Sequence, residues 1–284
     1  MRQLTRTRLG RATADLRVAI VAADDAYATS VADAAATTAA AFDMPVVARA
    51  TYSLVIPDWG GLMGDLAGAL PDVIILASHI PDGIAFRRAM LSSGLEVGAL
   101  IGSTMAECDP DFAGELGAAA IGIFASDRPT GGFQPDALGT AARAVYDRFA
   151  AAWGSLPVKD DDSGYGGNAE YTISGPAESA SAAATEEALS GFTAAWALFH
   201  EVLPAAAAAG DLDAQAIATA ANRVDLPTGS LPNGAGLRFS SHPASLGQNE
   251  RAAAVIWQWQ AVRTYAFVWP ATFATGPIGF VPLP

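Results

Sequence analysis

Val73-Ile74-Ile75-Leu76-Ala77 is a run of five apolar residues between Pro71-Asp72 and Ser78-His79. A short run that is apolar at every position, rather than at alternate ones, is the pattern of a strand covered on both faces. Working outward, Leu16-Arg17-Val18-Ala19-Ile20-Val21, Val46-Val47-Ala48-Arg49-Ala50-Thr51 and Val97-Gly98-Ala99-Leu100-Ile101 have the same character, and Ala120-Ile121-Gly122-Ile123-Phe124 makes a fifth. Between them, Val31, Ala34, Ala35, Thr38 and Phe42 recur at helical spacing, as do Leu62, Leu66, Ala69 and Leu70. Strands alternating with amphipathic helices predict an α/β fold with a doubly wound parallel sheet, Rossmann-like, whose crossovers are right-handed. Such a sheet presents its ligand site on the loops leaving the carboxyl ends of the strands, here residues 22–27, 77–82, 102–109 and 125–131.

Beyond residue 131 the rhythm lengthens. Leu138, Ala142, Val145 and Phe149 form one helical stripe, and Phe192, Trp196, Phe199 and Leu203 form another, so these aromatics read as core. Residues 155–181 are rich in Gly, Ser, Asp and Pro and predict a long surface loop. After the alanine run at 205–209, Asp211 and Asp213 sit near the start of a short helix reaching Ala221. Val255-Ile256-Trp257-Gln258-Trp259-Gln260 and Thr264-Tyr265-Ala266-Phe267-Val268-Trp269 alternate and are tightly connected, which predicts an antiparallel hairpin. The tail, with Pro270, Pro277, Pro282 and Pro284, cannot extend that hairpin far.

Composition limits the function. With 284 residues, 51% hydrophobic and 16% charged, the chain has material for two lobes or one elaborate domain and is not disordered. Sixteen basic against twenty-nine acidic residues give a net charge of −13, which repels phosphate backbones and argues against a nucleic-acid partner. Arg2, Arg6, Arg8, Arg11 and Arg17 cluster at the start, but no apolar segment follows, so no export signal is expected in these residues. Cys108 is the single cysteine, and His79, His200 and His242 lie far apart. Neither a metal nor a cofactor is expected, and no catalytic signature such as Gly-x-Ser-x-Gly occurs.

Three segments together resemble the branched-chain amino-acid and amide group of type I periplasmic binding proteins. They are Arg17-Val18-Ala19-Ile20-Val21 with Asp24-Asp25-Ala26-Tyr27; Leu70-Pro71-Asp72-Val73-Ile74-Ile75-Leu76 with Pro81-Asp82, Ser93-Gly94-Leu95 and Ile101-Gly102-Ser103; and Gly236-Leu237-Arg238-Phe239 with Gln248-Asn249 and the hairpin. The resemblance implies a solute-binding component of an ABC transporter. Such a protein is a bilobed clamp that closes on a small amino acid or amide, hands it to a membrane permease, and works at the periplasmic or extracellular surface without chemistry on the ligand. It also implies a domain plan. Residues 1–15 would end a first lobe whose start is missing, residues 16–129 would form the second lobe, residues 130–204 would cross back as helices of the first, and residues 205–284 would return to the second and close with the hairpin. Asp127, Arg128 and Gly131-Gly132 would lie at the hinge.

The positions matching the family's second-lobe ligand contacts are Tyr27, His79 and Thr104, with Ser78, Ser103 and Glu107 beside them as further candidates. All leave the carboxyl edge and offer an aromatic wall or a hydrogen-bonding group. Each has a structural alternative: Tyr27 as a cap on the first helix, His79 as a histidine satisfied by nearby backbone. At position 104 amino-acid binders of the family carry a carboxylate for the ligand ammonium, and threonine leaves that charge unmet unless Glu107 or Asp109 turns in. Trp59 reads as core, and Asp24 and Asp25 as helix N-terminal residues. A phosphorylation receiver is a rival, since Asp24-Asp25 and the Val73 run imitate its pocket, but Ala77 stands where the phosphoacceptor aspartate belongs. In a nucleotide-binding enzyme, Gly60-Gly61-Leu62-Met63-Gly64 would have to follow a strand, and it follows Pro57-Asp58-Trp59 instead. A ligand-sensing relative of the same fold remains the third alternative.

Overall fold

A computed structural model describes residues 9–103, 106–108, 110–155, 172–173 and 184–284. The chain divides into two compact units: Met1–Asp127 with Ile256–Val268 and Gly276–Pro284, and Arg128–Val255 with Trp269–Thr275.

The first unit is an open sheet with helical crossovers. Strands β1 (Val18–Ala23), β2 (Val46–Tyr52), β3 (Val73–Ala77), β4 (Ala99–Ser103) and β5 (Phe124–Asp127) run parallel in the order β2-β1-β3-β4-β5. Helices α1 (Ala26–Ala41), α2 (Trp59–Ala69), α3 (Ile80–Ser93) and α4 (Pro110–Leu116) connect them. β7 (Val255–Ala261) continues the order beyond β5, and β8 (Thr264–Trp269) follows it across the turn at Val262-Arg263. Gly122 donates its N–H to the Trp259 carbonyl at 2.8 Å, and Trp259 donates to the Ile123 carbonyl at 3.0 Å. Residue by residue, β1 and β3 are buried as a doubly covered sheet requires, with Val18, Ala19, Val21, Val73, Ile74 and Leu76 at zero exposure.

The departures from the sequence reading have local causes. β1 and β4 start two residues later than the apolar runs do, because burial extends each run at one end beyond its ladder. The fifth strand is Phe124–Asp127; Gly117–Ala120 form a 3-10 turn, and Gly122 at φ +93° redirects the chain before the strand begins. β2 is an edge strand paired only with β1, so it is not covered on both faces, and Tyr52 is its one buried residue. In α1 the buried residues are Ala28, Ala32 and Ala39, while Phe42 is exposed and caps the helix. An alanine-rich helix is apolar on every side, so spacing alone does not select the face. Leu70 is likewise exposed, at the left-handed residue that ends α2.

The second unit contains α5 (Thr140–Gly154), β6 (Thr172–Ile173), α6 (Glu186–Ala197), α7 (Leu203–Ala208) and α8 (Ala214–Ala221). Phe149 stacks on Phe192 with ring centroids 4.6 Å apart, and Trp196 packs against the cluster of Ala197, Leu231, Ala235 and Leu237. Phe199 is 63% exposed rather than core, because the π-turn Leu198–Val202 adds a residue to the turn and shifts the stripe, burying Val202 instead. Asp213 caps α8 by accepting the Ala216 N–H at 2.7 Å. The expected loop at 155–181 lies almost wholly outside the described residues. The chain leaves the first unit between Asp127 and Arg128; residues 205–255 fold with the second unit, so re-entry comes at Ile256 rather than at residue 205. No helix of the described residues is long and apolar enough to cross a membrane.

One arginine is part of the core. Arg87 on α3 is 3% exposed and donates to the carbonyls of Ala119 at 2.9 Å and Pro284 at 2.8 Å, and burial lowers its pKa. Arg87→Met strands both carbonyls and should cost about 2–3 kcal/mol; an unchanged urea midpoint would contradict this role.

Candidate solute-binding site

The register of the sheet assembles the site. Ala22 pairs with Ala77, Ala23 with Tyr52, and Leu76 with Gly102, so β1, β2, β3 and β4 end side by side. The next residues of each strand therefore share one edge.

After β1, Asp25 is extended and caps α1, its carboxylate accepting the N–H groups of Tyr27 at 2.8 Å and Ala28 at 3.1 Å. That cap fixes where Tyr27 leaves the first turn of α1. The Tyr27 hydroxyl reaches the Ser103 carbonyl at the end of β4, 3.4 Å away, and its ring lies 5.8 Å from the His79 ring. His79 is the extended residue before α3, and Asp82, three residues on, accepts the His79 backbone N–H at 3.2 Å. The imidazole sits between two carboxylates: Nε2 is 3.8 Å from Asp25 Oδ2 and Nδ1 is 3.9 Å from Asp82 Oδ1. Tyr52, the last residue of β2, donates its hydroxyl to the Asp82 carboxylate. Burial first, and the Asp82 carboxylate next, push the Tyr52 phenol above its usual range, so it stays a neutral donor. Asp24 accepts the Leu54 N–H at 2.9 Å and ties the loop after β2 to the same edge.

A second pair lies beneath. Ser78 and Glu107 are fully buried, and the Ser78 hydroxyl donates to Glu107 Oε1 at 3.4 Å. The Trp259 indole N–H donates to the Glu107 carbonyl at 2.8 Å. Burial pushes the Glu107 carboxyl up to about 8.

Of the six sequence candidates, the structure gathers Tyr27, His79 and Ser103 at the edge and places Ser78 and Glu107 together below it. Thr104 lies outside the described residues, as does Asp109. The sequence reading missed Asp82 and Tyr52 and gave Asp25 only a capping role. The His79-x-x-Asp82 spacing, a helix-start pattern, was the available signal for Asp82. Trp59 opens α2 half-buried between Tyr52, 4.9 Å away, and Phe86, 6.2 Å away.

Among the described residues, Asp25 Oδ2, His79 Nδ1, Ser103 Oγ and Glu107 Oε2 of this region are buried without a hydrogen-bond partner. An orphaned buried polar atom costs about 1–3 kcal/mol, so four at one strand edge mark a place built for something other than stability.

The sequence profile described as Periplasmic binding protein matches residues 4–173, more than half of the chain. The chain belongs to that family. Among curated members, it is 25% identical over 253 residues to the Leu/Ile/Val-binding protein homolog 8 of Brucella abortus, covering 89% of this chain and 54% of the relative. It is 24% identical over 254 residues to homolog 7 of the same organism, covering 89% of this chain and 55% of that relative. The chain thus spans about half the length of these relatives. Among solved structures, a branched-chain amino acid ABC transporter protein from Silicibacter pomeroyi superposes with a TM-score of 0.66 at 16% identity, covering 95% of this chain and 62% of that one. A leucine binding protein from Thermotoga maritima gives 0.63 at 14%, covering 94% and 62%. The fold is that of type I periplasmic binding proteins, and these likenesses speak for the fold.

Proposed function

We propose that this periplasmic binding protein captures a small amino acid or related amide and that the carboxyl edge of its parallel sheet forms one wall of the solute site. The observation that carries the proposal is the cluster of Tyr27, His79, Asp25 and Asp82. It joins an aromatic face to two carboxylates and includes polar atoms that the protein itself leaves uncommitted. Carboxylates at that edge suit the ammonium end of an amino acid, and the Tyr27 ring suits its apolar stem. Position 104 carries threonine, so on this reading Asp25 and Asp82 supply the negative charge. The relatives named for leucine, isoleucine and valine support a branched-chain solute. The same kinship supports delivery to the permease of an ABC transporter, a periplasmic or extracellular location, and capture without chemical change.

A thermal-shift panel of L-leucine, L-valine and isobutyramide tests this. Occupancy at 100 times Kd stabilises a protein by about 2.7 kcal/mol, an easily read shift. Tyr27→Ala should weaken the best solute at least tenfold, about 1.4 kcal/mol, by removing the aromatic wall. Equal affinity in that variant would move the site elsewhere.

A further inference from the structure

Glu107 is an acidic side chain beneath this edge that the capture reading does not use, and its surroundings are unusual. Its carboxyl lies under the ends of β3 and β4, at zero exposure. Two glycines make room for it. A Cβ on Gly102 would stand 2.0 Å from the Glu107 carboxyl carbon, and one on Gly83 would stand 2.8 Å from the Ser78 hydroxyl and 3.5 Å from Glu107 Oε1. Any other residue at 102 would evict the carboxyl, so the cradle is specific to Glu107. Inside it, Oε1 accepts a long hydrogen bond from Ser78, the residue's own backbone N–H gives the carboxyl some further support, and Oε2 has no partner among the described residues. A carboxylate left this poorly solvated is unstable, whereas a protonated carboxyl is tolerated there.

We propose that Glu107 is a proton-releasing counter-charge of the solute site: it rests protonated in its glycine cradle and ionises when a cationic group is held at the edge above it. Accepting the capture reading, binding of an ammonium-bearing solute leaves that solute chemically unchanged. The O–H bond of Glu107 breaks, the electron pair stays on the carboxylate, and the proton passes to solvent. The arriving positive charge offsets the loss of hydration that keeps the carboxyl neutral. The groups bearing on it are consistent with that resting state. Asp82 on α3 raises its pKa further, Ser78 at the end of β3 lowers it by its hydrogen bond, and Tyr52 at the end of β2 feels the same carboxyl. The Trp259 indole N–H on β7 binds the Glu107 backbone carbonyl and so fixes the residue by its main chain. Tyr27, Asp24, Asp25 and His79 are further titratable groups of the edge. The carboxyl titrates at about 8, so near pH 7 it holds its proton and has one to release.

The test is calorimetry of the protein with L-leucine, a zwitterion that brings the ammonium group, at pH 7, in phosphate and in Tris, whose heats of protonation differ widely. The expected result is a heat that depends on the buffer and corresponds to a net release of up to about one proton per leucine bound. Leucine affinity should rise with pH between 6 and 8, up to about tenfold per unit. Isobutyramide, which carries no charge, should bind with a buffer-independent heat. In Glu107→Gln the proton release should disappear and the pH dependence of leucine affinity flatten. Leucine bound with a buffer-independent heat in the unsubstituted protein overturns the proposal and leaves the capture reading standing. The same release in Glu107→Gln also overturns it, assigning the proton to another group such as His79. Failure of leucine and isobutyramide alike to bind overturns both. The unsubstituted protein decides the matter alone should the variant fail to fold.

Discussion

Glu107→Gln is expected to stabilise the folded protein above pH 5, by a margin that widens by about 1.4 kcal/mol per pH unit until about pH 8. In the unfolded chain a glutamate ionises near its ordinary value of 4.5, whereas in the folded protein burial holds the proton to about 8. Between those values the folded state carries one more proton than the unfolded state, so its stability falls as pH rises through the window. Below the window both states are protonated, and the full contribution is present. Glutamine keeps the shape and can accept the Ser78 hydrogen bond, but it has no charge to desolvate. Urea midpoints for both proteins at pH 5, 6, 7 and 8 measure the margin. Parallel pH profiles would show that the Glu107 carboxyl is solvated in the folded state.

Trp259→Ala should cost about 4 kcal/mol, at the upper end of what a single core truncation removes. The side chain is fully buried, and its ring meets Tyr265 edge-on at 5.3 Å. Its indole N–H holds the Glu107 carbonyl, while its backbone exchanges hydrogen bonds with Gly122 and Ile123 beside β5. Alanine retains the backbone bonds but opens a cavity and orphans the carbonyl. Trp259→Phe, which refills most of the cavity and loses only the donor, should therefore fall between alanine and the parent. A phenylalanine variant as unstable as the alanine one would place most of the energy in the hydrogen bond. Equal midpoints for parent and alanine would refute the packing described for the hairpin.

The sheet was legible because its central strands β1 and β3 are apolar throughout. The Val73 run marks β3 without error, and the alternation of the two C-terminal segments marks the hairpin. What failed was whatever depended on neighbours. β2 has the composition of a central strand and occupies an edge, and α1 is too uniformly apolar for periodicity to choose its buried face. Phe199 sits on a stripe that a π-turn displaces by one residue. The site shows the same division. Tyr27, His79 and Ser103 follow strands, so the topology alone brings them together. Asp82 joins them through a helix-start spacing that the sequence carries, and Tyr52 through a strand register that no spacing reveals. The Glu107 cradle depends on two glycines, Gly83 and Gly102, that are 19 positions apart and whose importance shows only when the space around them is measured.

The central claim is that a small amino acid is held against the edge formed by Tyr27, His79 and Asp25. Following the His79 imidazole resonances by NMR while L-leucine is added tests it most directly. Leucine should shift those resonances saturably, with the same midpoint as the thermal stabilisation, and the shift should be lost or displaced at least tenfold in Tyr27→Ala. Imidazole signals that stay still while leucine stabilises the protein would contradict the account, because the solute would then be bound away from this edge.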